Sequence, residues 1–333
     1  MTFKTFKKIN ALQSQYRRRL FMAGAGFALA GLLPSASLAA PDDVTVKIAP
    51  LYAYNYLTLG HKSGDLEKTV NAAGGKVEWK PYFPAYAPVA EALRGGSVDI
   101  GSGSATSFLA SISADKDLVV FAVEKNDGKD QGIVVTAKSG IQSLDDLRGK
   151  KIAVNKGGTG EYLLRLALSK QDIPVDAVQV VYLGPTDAAT AFAQGHVDAW
   201  AVWDQFFAAA QTEPGAKVIA YGSDLGSLNR NVHVTTRKFA QQHPEQLKAV
   251  YKALVNEAAT SKQNPGRVAD LSIKAGVPKP VAEVIRQFAV QEVVPADKQF
   301  LKELETIADF YASQKLSPAR IDVSETLVDV SKP

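Results

Sequence analysis

Apolar and polar positions along this chain fall into two stretches that repeat one order of elements. In the first, residues 44–51 read as a strand, 57–73 as a helix and 76–83 as a second strand. A short helix over 87–94 is stopped by Gly95-Gly96, and 98–100 follows as a third strand. In the second stretch, 151–154 is a strand, Gly157-Gly158-Thr159-Gly160 a turn and 161–170 a helix with Leu163, Leu166 and Ala167 on its apolar side. A strand over 178–183, a helix over 187–194 stopped by Gly195, and a strand over 197–202 complete it. Gly96-Ser97-Val98-Asp99 and Gly195-His196-Val197-Asp198 occupy equivalent places 99 residues apart. From Lys238 onward the pattern is helical, over 244–260, 267–274, 279–291 and 297–314.

Alternating strands and helices predict an α/β fold in which each stretch forms a parallel-rich sheet. Two such lobes imply a cleft between them. Open α/β sheets bind ligands beyond the carboxyl ends of their strands. The expected division is a leader over 1–39, a first lobe over 40–133 plus 232–333 with the C-terminal helices, and a second lobe over 134–231. Strands near Gly132-Ile133-Val134 and Asn231-Val232-His233 are expected to cross between the lobes and act as a hinge.

The leader changes the charge. Lys4, Lys7, Lys8, Arg17, Arg18 and Arg19 precede an apolar run over 20–33, too short to span a bilayer, and Ser37-Leu38-Ala39 suits a cleavage site. Arg18-Arg19-Leu20-Phe21-Met22 also fits a twin-arginine signal, so export by either the Tat or the Sec route remains open. The formal charge of the whole chain is +4. Six of its 38 Lys and Arg and none of its 34 Asp and Glu lie in the leader, which leaves the remainder near −2. No basic stripe is left to recruit nucleic acid, and the expected place is the periplasm.

Composition narrows the chemistry. The chain has no Cys, which excludes disulfides, thiol catalysis and thiolate metal sites. Its four His (His61, His196, His233 and His243) form no close ligand pair, so neither a metal nor another cofactor is expected. Both Met residues, Met1 and Met22, lie in the leader, so the exported chain contains no sulfur. Leu, Ile and Val replace Met in a core at little cost. A sulfur-free protein suits manufacture during sulfur starvation.

Several segments together resemble the periplasmic binding proteins of sulfonate, taurine and nitrate ABC importers. They are Glu91-Ala92-Leu93 with Gly96-Ser97-Val98-Asp99; the run from Leu147 to Gly157; Gly195-His196-Val197-Asp198-Ala199-Trp200 with Trp203-Asp204; and Phe239 with His243-Pro244-Glu245. Their order and spacing resemble the aliphatic sulfonate branch most. The resemblance implies a two-lobed type II binding-protein fold that closes over an anion and docks on an inner-membrane permease. It implies a monomer and no catalysis.

Candidate ligand contacts follow. Gly158, Thr159 and Gly160 open a helix, where backbone amides and the helix dipole favour an anion. The turn matches the family's sulfonate-holding turn; it equally reads as a helix start with Thr159 as N-cap. It is no nucleotide loop, because no Gly-Lys-Ser/Thr follows. Residues 101–107 open a helix in the other lobe and offer Ser102 and Ser104. Tyr52, Tyr54, Asn55, Tyr56 and Tyr86 stand in loops expected at the mouth of the first lobe, with Trp203 at the end of a strand in the second. Together they read as a wall for an apolar tail or a cage for a quaternary ammonium. Asp187 is a polar contact or a helix cap. Asn231 is neutral where taurine-binding relatives carry an acid. The expected cargo is an alkane- or aryl-sulfonate, with a sulfate ester such as choline sulfate, taurine, nitrate or an aromatic carboxylate as alternatives. A desulfinase-like enzyme on this scaffold would need the Cys that this chain lacks.

Overall fold

The computed structural model describes residues 44–52, 54–113 and 116–331. The expected leader and its cleavage point lie outside the described residues. Two mixed sheets organise the rest. The first holds β1 (Val44–Ile48), β2 (Gly75–Trp79), β3 (Ile100–Ser104), β4 (Leu118–Lys125), β10 (Asn231–Thr236) and β11 (Glu292–Pro295), in the order β11-β4-β10-β3-β1-β2. The second holds β5 (Gln131–Val135), β6 (Lys151–Val154), β7 (Gln179–Tyr182), β8 (Ala199–Trp203) and β9 (Lys217–Tyr221), in the order β7-β6-β8-β5-β9.

The internal repeat is real. In each sheet three parallel strands stand in the same order, β2-β1-β3 and β7-β6-β8. The two Gly-x-Val-Asp motifs do the same work in both. The Asp99 carboxylate accepts from the Lys47 amide at 2.8 Å, and the Asp198 carboxylate accepts from the Lys151 amide at 2.8 Å. Each acid ties the middle strand of its parallel three, β1 or β6, to the motif that leads into the next strand, β3 or β8. Gly96 and Gly195 turn at φ 66° and 70°, which glycine adopts without strain.

Helices cover both faces of each sheet. On the first, α3 (Tyr86–Arg94), α4 (Ala105–Ile112) and α12 (Lys298–Ser313) bury Leu93, Phe108 and Ile307 on one face. On the other, α1 (Tyr56–Ser63), α2 (Asp65–Ala72) and α9 (Pro244–Gln263) bury Leu57, Leu66 and Leu254. On the second sheet, α5 (Thr159–Lys170) contributes Leu163, Leu164 and Leu168 to one core. Helices α6 (Pro185–Ala193) and α7 (Asp204–Gln211) contribute Phe192 and Phe207 to the other. Further on, α8 (Arg237–Gln242) leads into α9, and α10 (Arg267–Lys274) into α11 (Lys279–Ile285). Val281 and Ile285 of α11 pack on Ala208 of α7, so a C-terminal helix braces the second lobe.

Four details differ from the sequence reading. The helix expected over 57–73 is broken into α1 and α2 at Gly64, where φ is 74°. The helix expected over 279–291 stops at Ile285, and β11 follows to pair antiparallel with β4. The glycine-rich stretch 101–104 is strand rather than turn. A Cβ on Gly101 would stand 2.3 Å from Val89 and one on Gly103 2.4 Å from the Tyr86 ring, so these glycines let α3 pack flat on β3. Neither β5 nor β10 passes between sheets: each pairs within one, and residues 126–130 and 222–230 make the crossings.

Candidate functional site

Helices α3 and α4 of the first lobe face the residues that follow β6 and β7 of the second across a cleft of about 580 Å³. Tyr86, Arg94 and Ser107 line it from the first lobe, and Asn155, Lys156, Gly157 and Tyr182 from the second. At its edge stands the start of α5. Gly158 is the N-cap residue of α5, and a Cβ there would fall 1.8 Å from Asn155 Nδ2 and 3.0 Å from Ser107 Oγ. A side chain at 158 would collide with Asn155 of its own lobe and crowd Ser107 of the other. The Gly160 amide donates to Asn155 Oδ1 at 2.8 Å, and the Gly157 amide donates to Glu161 Oε2 at 2.8 Å. The amides of Gly158 and Thr159 have no acceptor among the described residues. They are the donors left at the positive end of a 12-residue helix.

The facing helix, α4, is already satisfied. The Ala105 amide donates to Arg230 O at 2.8 Å, the Thr106 amide to Asn229 Oδ1 at 3.2 Å and the Ser107 amide to Ser104 Oγ at 3.1 Å. Ser104 is thus the cap of α4, with its hydroxyl 2.9 Å from Ser107 Oγ. What the first lobe presents to the cleft is the Ser107 hydroxyl rather than α4 amides.

Thr159 is buried, and its hydroxyl accepts from Asn229 Nδ2 at 3.0 Å. The hydroxyl therefore locks the turn instead of pointing at solvent; its amide remains available. Thr159 is the first helical residue and Gly158 the cap, which corrects the N-cap reading of Thr159. Glu161 is buried beneath the turn, where it also accepts from Tyr182 Oη at 2.7 Å. Burial, then this bond to Glu161, pushes the Tyr182 phenol above its ordinary value.

The remaining sequence candidates are dispersed. Tyr86 is the first residue of α3, buried against Gly103, and still lines the cleft; burial pushes its phenol far up. Ser102 is fully buried and accepts from Asn55 Nδ2 at 2.9 Å, while Asn55 caps α1 through the Thr58 amide at 2.9 Å. These two fasten β3 to α1 below the cleft. Tyr56 belongs to α1 rather than to a loop, is buried, and donates to Gln291 O at 2.8 Å. Tyr54 turns toward α10, with Lys62 Nζ 4.8 Å from its ring centroid. Tyr52 is 58% exposed and stacks on Tyr82 at 5.4 Å. Its carbonyl accepts from Gln205 Nε2 of α7 at 2.7 Å, a second contact between lobes. Trp203 ends β8 and packs edge-on to Phe206. Asn231 is half-buried in β10, with its amide 3.4 Å from Glu124 Oε2. Asp187 is exposed on α6, whose cap is Gly184. No single aromatic cage assembles from the tyrosines.

Asn155, Lys156, Tyr182, Arg94 and Asn229 are the site's unforeseen residues. Asn155-Lys156 directly precedes the glycine turn, which is the one local signal that marks it. Asn229 carries none, because its two partners lie 123 and 70 residues away. Among the described residues no three His, Asp or Glu are placed to hold a metal ion, and no helix is long and apolar enough to cross a membrane.

Comparison with known proteins agrees with this architecture. Residues 72–267 match the family described as "NMT1/THI5 like". A putative aliphatic sulfonates-binding protein of Escherichia coli (strain K12) is 31% identical over 254 residues, 76% of this chain and 79% of that protein. One of Bacillus subtilis (strain 168) is 27% identical over 285 residues, 85% of each chain. The solved structure of the alkanesulfonate-binding protein SsuA from Xanthomonas axonopodis pv. citri bound to MOPS is 28% identical. It superposes with a TM-score of 0.79 over 86% of this chain and 98% of that one. With its two lobes, its paired three-strand repeats and this match across most of its length, the chain belongs to the NMT1/THI5-like family and has the periplasmic binding-protein fold.

Proposed function

We propose that this protein is the exported substrate-binding component of an ABC importer and captures an organosulfonate for sulfur acquisition. The single observation that carries the reading is the start of α5, where the amides of Gly158 and Thr159 are free and Gly158 stands beside Ser107 of the first lobe at the edge of the interlobe cleft. A sulfonate is the anion of a strong acid and carries no proton, so neutral N–H and O–H donors suit it. Lys156 in the cleft wall adds positive charge, and Tyr86, Leu183 and Pro185 offer apolar surface to a tail. The names of the relatives support a sulfonate, and the sulfur-free sequence after Met22 supports a protein made when sulfur is scarce. In this reading the protein is a periplasmic monomer, delivers its cargo to an inner-membrane permease and catalyses nothing.

A thermal-shift screen of the exported chain tests the reading, since a ligand that binds only the folded state raises Tm by mass action. Alkane- and arylsulfonates are expected to raise Tm in a saturable way. A rise with nitrate or aromatic carboxylates alone would overturn the sulfonate assignment and leave only an anion importer. A rise confined to choline sulfate would move the cargo to a sulfate ester.

A further inference from the structure

A second, smaller cavity of about 60 Å³ lies between the two lobes. It is walled by both lobes: Asn55 and Glu124 come from the first, Asp204 and Gln205 from the second, and Phe288 and Gln291 from the segment after α11. Three of its walls are carboxylates, and no Lys, Arg or His lines it.

The three acids differ in how they are satisfied. Glu124 accepts from the Tyr56 amide at 2.7 Å and pairs with His233 Nε2 at 2.8 Å behind the wall. Asp130 accepts from Asn126 Nδ2 and from Gln291 Nε2, each at 3.1 Å. Asp204 is 9% exposed, and its carboxylate has no hydrogen-bond partner among the described residues. Gln291 Oε1 is buried and equally without a partner. A buried carboxylate must be paired, hydrogen-bonded or protonated. Burial, with the neighbouring acids, pushes Asp204 well above the ordinary carboxylate range and Asp130 to about 6. The cavity thus presents unanswered acceptors at Asp204 and Gln291 Oε1, and its walls supply no cation to pair with the acids.

We propose that this cavity binds a primary ammonium group, with Asp204 as its principal acceptor and Asp130 and Gln291 Oε1 completing the cradle. An ammonium carries one charge and three N–H donors, which matches the unpartnered acceptors Asp204 and Gln291 Oε1. The volume admits a methylammonium-sized group. Among the described residues no three acids are placed for a metal ion, which favours an N–H donor over a divalent cation. Because the walls come from both lobes, an occupied cavity favours the closed form. The ammonium is either a free small amine or the amino end of a cargo molecule. The site stands apart from the anion reading, since Asp204 takes no part in the Gly158–Thr159 turn.

Calorimetric titration of the exported protein at pH 8 tests this, with methylammonium chloride against sodium chloride at equal ionic strength. Methylammonium is expected to bind saturably and sodium not. Ammonium binding displaces the proton held by Asp204, so the heat should vary with the ionisation enthalpy of the buffer. Asp204→Asn keeps the shape and tolerates the backbone at φ 49°, and should weaken methylammonium binding by about tenfold or more. Binding of an alkanesulfonate by Asp204→Asn should be unchanged. An aminoalkanesulfonate that outbinds its plain counterpart in wild type, and not in Asp204→Asn, would place the ammonium on the cargo; independent binding of the two would make it a free amine. Equal heats from sodium and methylammonium, or full methylammonium binding by Asp204→Asn, overturn the proposal.

Discussion

Asn229 donates from Nδ2 to Thr159 Oγ1 at 3.0 Å, and its Oδ1 accepts from the Thr106 amide at 3.2 Å and the Thr106 hydroxyl at 3.1 Å. One amide side chain on a crossing segment thus ties the first turn of α4 in one lobe to the first turn of α5 in the other. All three residues are buried. Asn229→Leu leaves the Thr106 amide and the Thr159 hydroxyl without their partner, while the Thr106 hydroxyl keeps Ser104 Oγ at 3.0 Å; the cost is about 1–3 kcal/mol. Urea unfolding should show that loss, and sulfonate affinity should fall about tenfold as α5 loses its fixed position. Unchanged affinity would mean that closure does not run through Asn229.

Gly158 is the position where added volume meets the site directly. Gly158→Ala puts a methyl on Asn155 and against Ser107. Sulfonate binding should be lost while the melting temperature without ligand falls by only a few degrees, because the cores of both lobes are untouched. Circular dichroism beside calorimetry checks both halves. A bulky residue at Thr159 should abolish binding likewise.

The paired acids Asp99 and Asp198 should behave as structure and not as ligand contacts. Each accepts from a backbone amide of the middle strand of its parallel three, Lys47 in β1 or Lys151 in β6. Asp99→Ala and Asp198→Ala should each cost about 1.5–3 kcal/mol in urea unfolding, the range for hydrogen bonds to charged groups. Sulfonate affinity in each should stay within a factor of about two.

Asp130 gives a pH signature. Burial raises its folded value to about 6, above the ordinary value of 3.8. The folded state then holds a proton that the unfolded state releases between those limits. The contribution of this group is fully present below pH 3.8 and is lost as pH rises through about 6. Asp130→Asn should therefore be more stable than wild type at pH 7–8, with the advantage shrinking toward pH 4. Melting temperatures of both proteins across that range check it. A constant difference would mean that Asp130 is not the titrating group.

Much of the fold is local and so was legible in the sequence. Helix stops at Gly95-Gly96 and Gly195, the alternation of strand and helix, and the repeated Gly-x-Val-Asp motif each depend on backbone preference within a few residues. They set two lobes of one topology. Strand β4 is a continuous apolar run that periodicity alone cannot assign, and it acquires meaning from its pairing with β10 and β11.

The site divided along the same line. The glycine turn at 157–160 was legible because a helix start with free amides is a local property, and composition had already removed sulfur, thiols and metal-binding His pairs from consideration. Tertiary structure decided which donors remain free. Gly101 and Gly103 proved to be packing glycines because Val89 and Tyr86 lie on them, Ser104 turned inward to cap α4, and the four tyrosines dispersed to four environments. Asn229 and Asp204 gain their roles from partners 70 or more residues away, or from the want of any partner. Hydrogen-bond satisfaction and burial are properties of the assembled chain, so no stretch of sequence read by itself contains them.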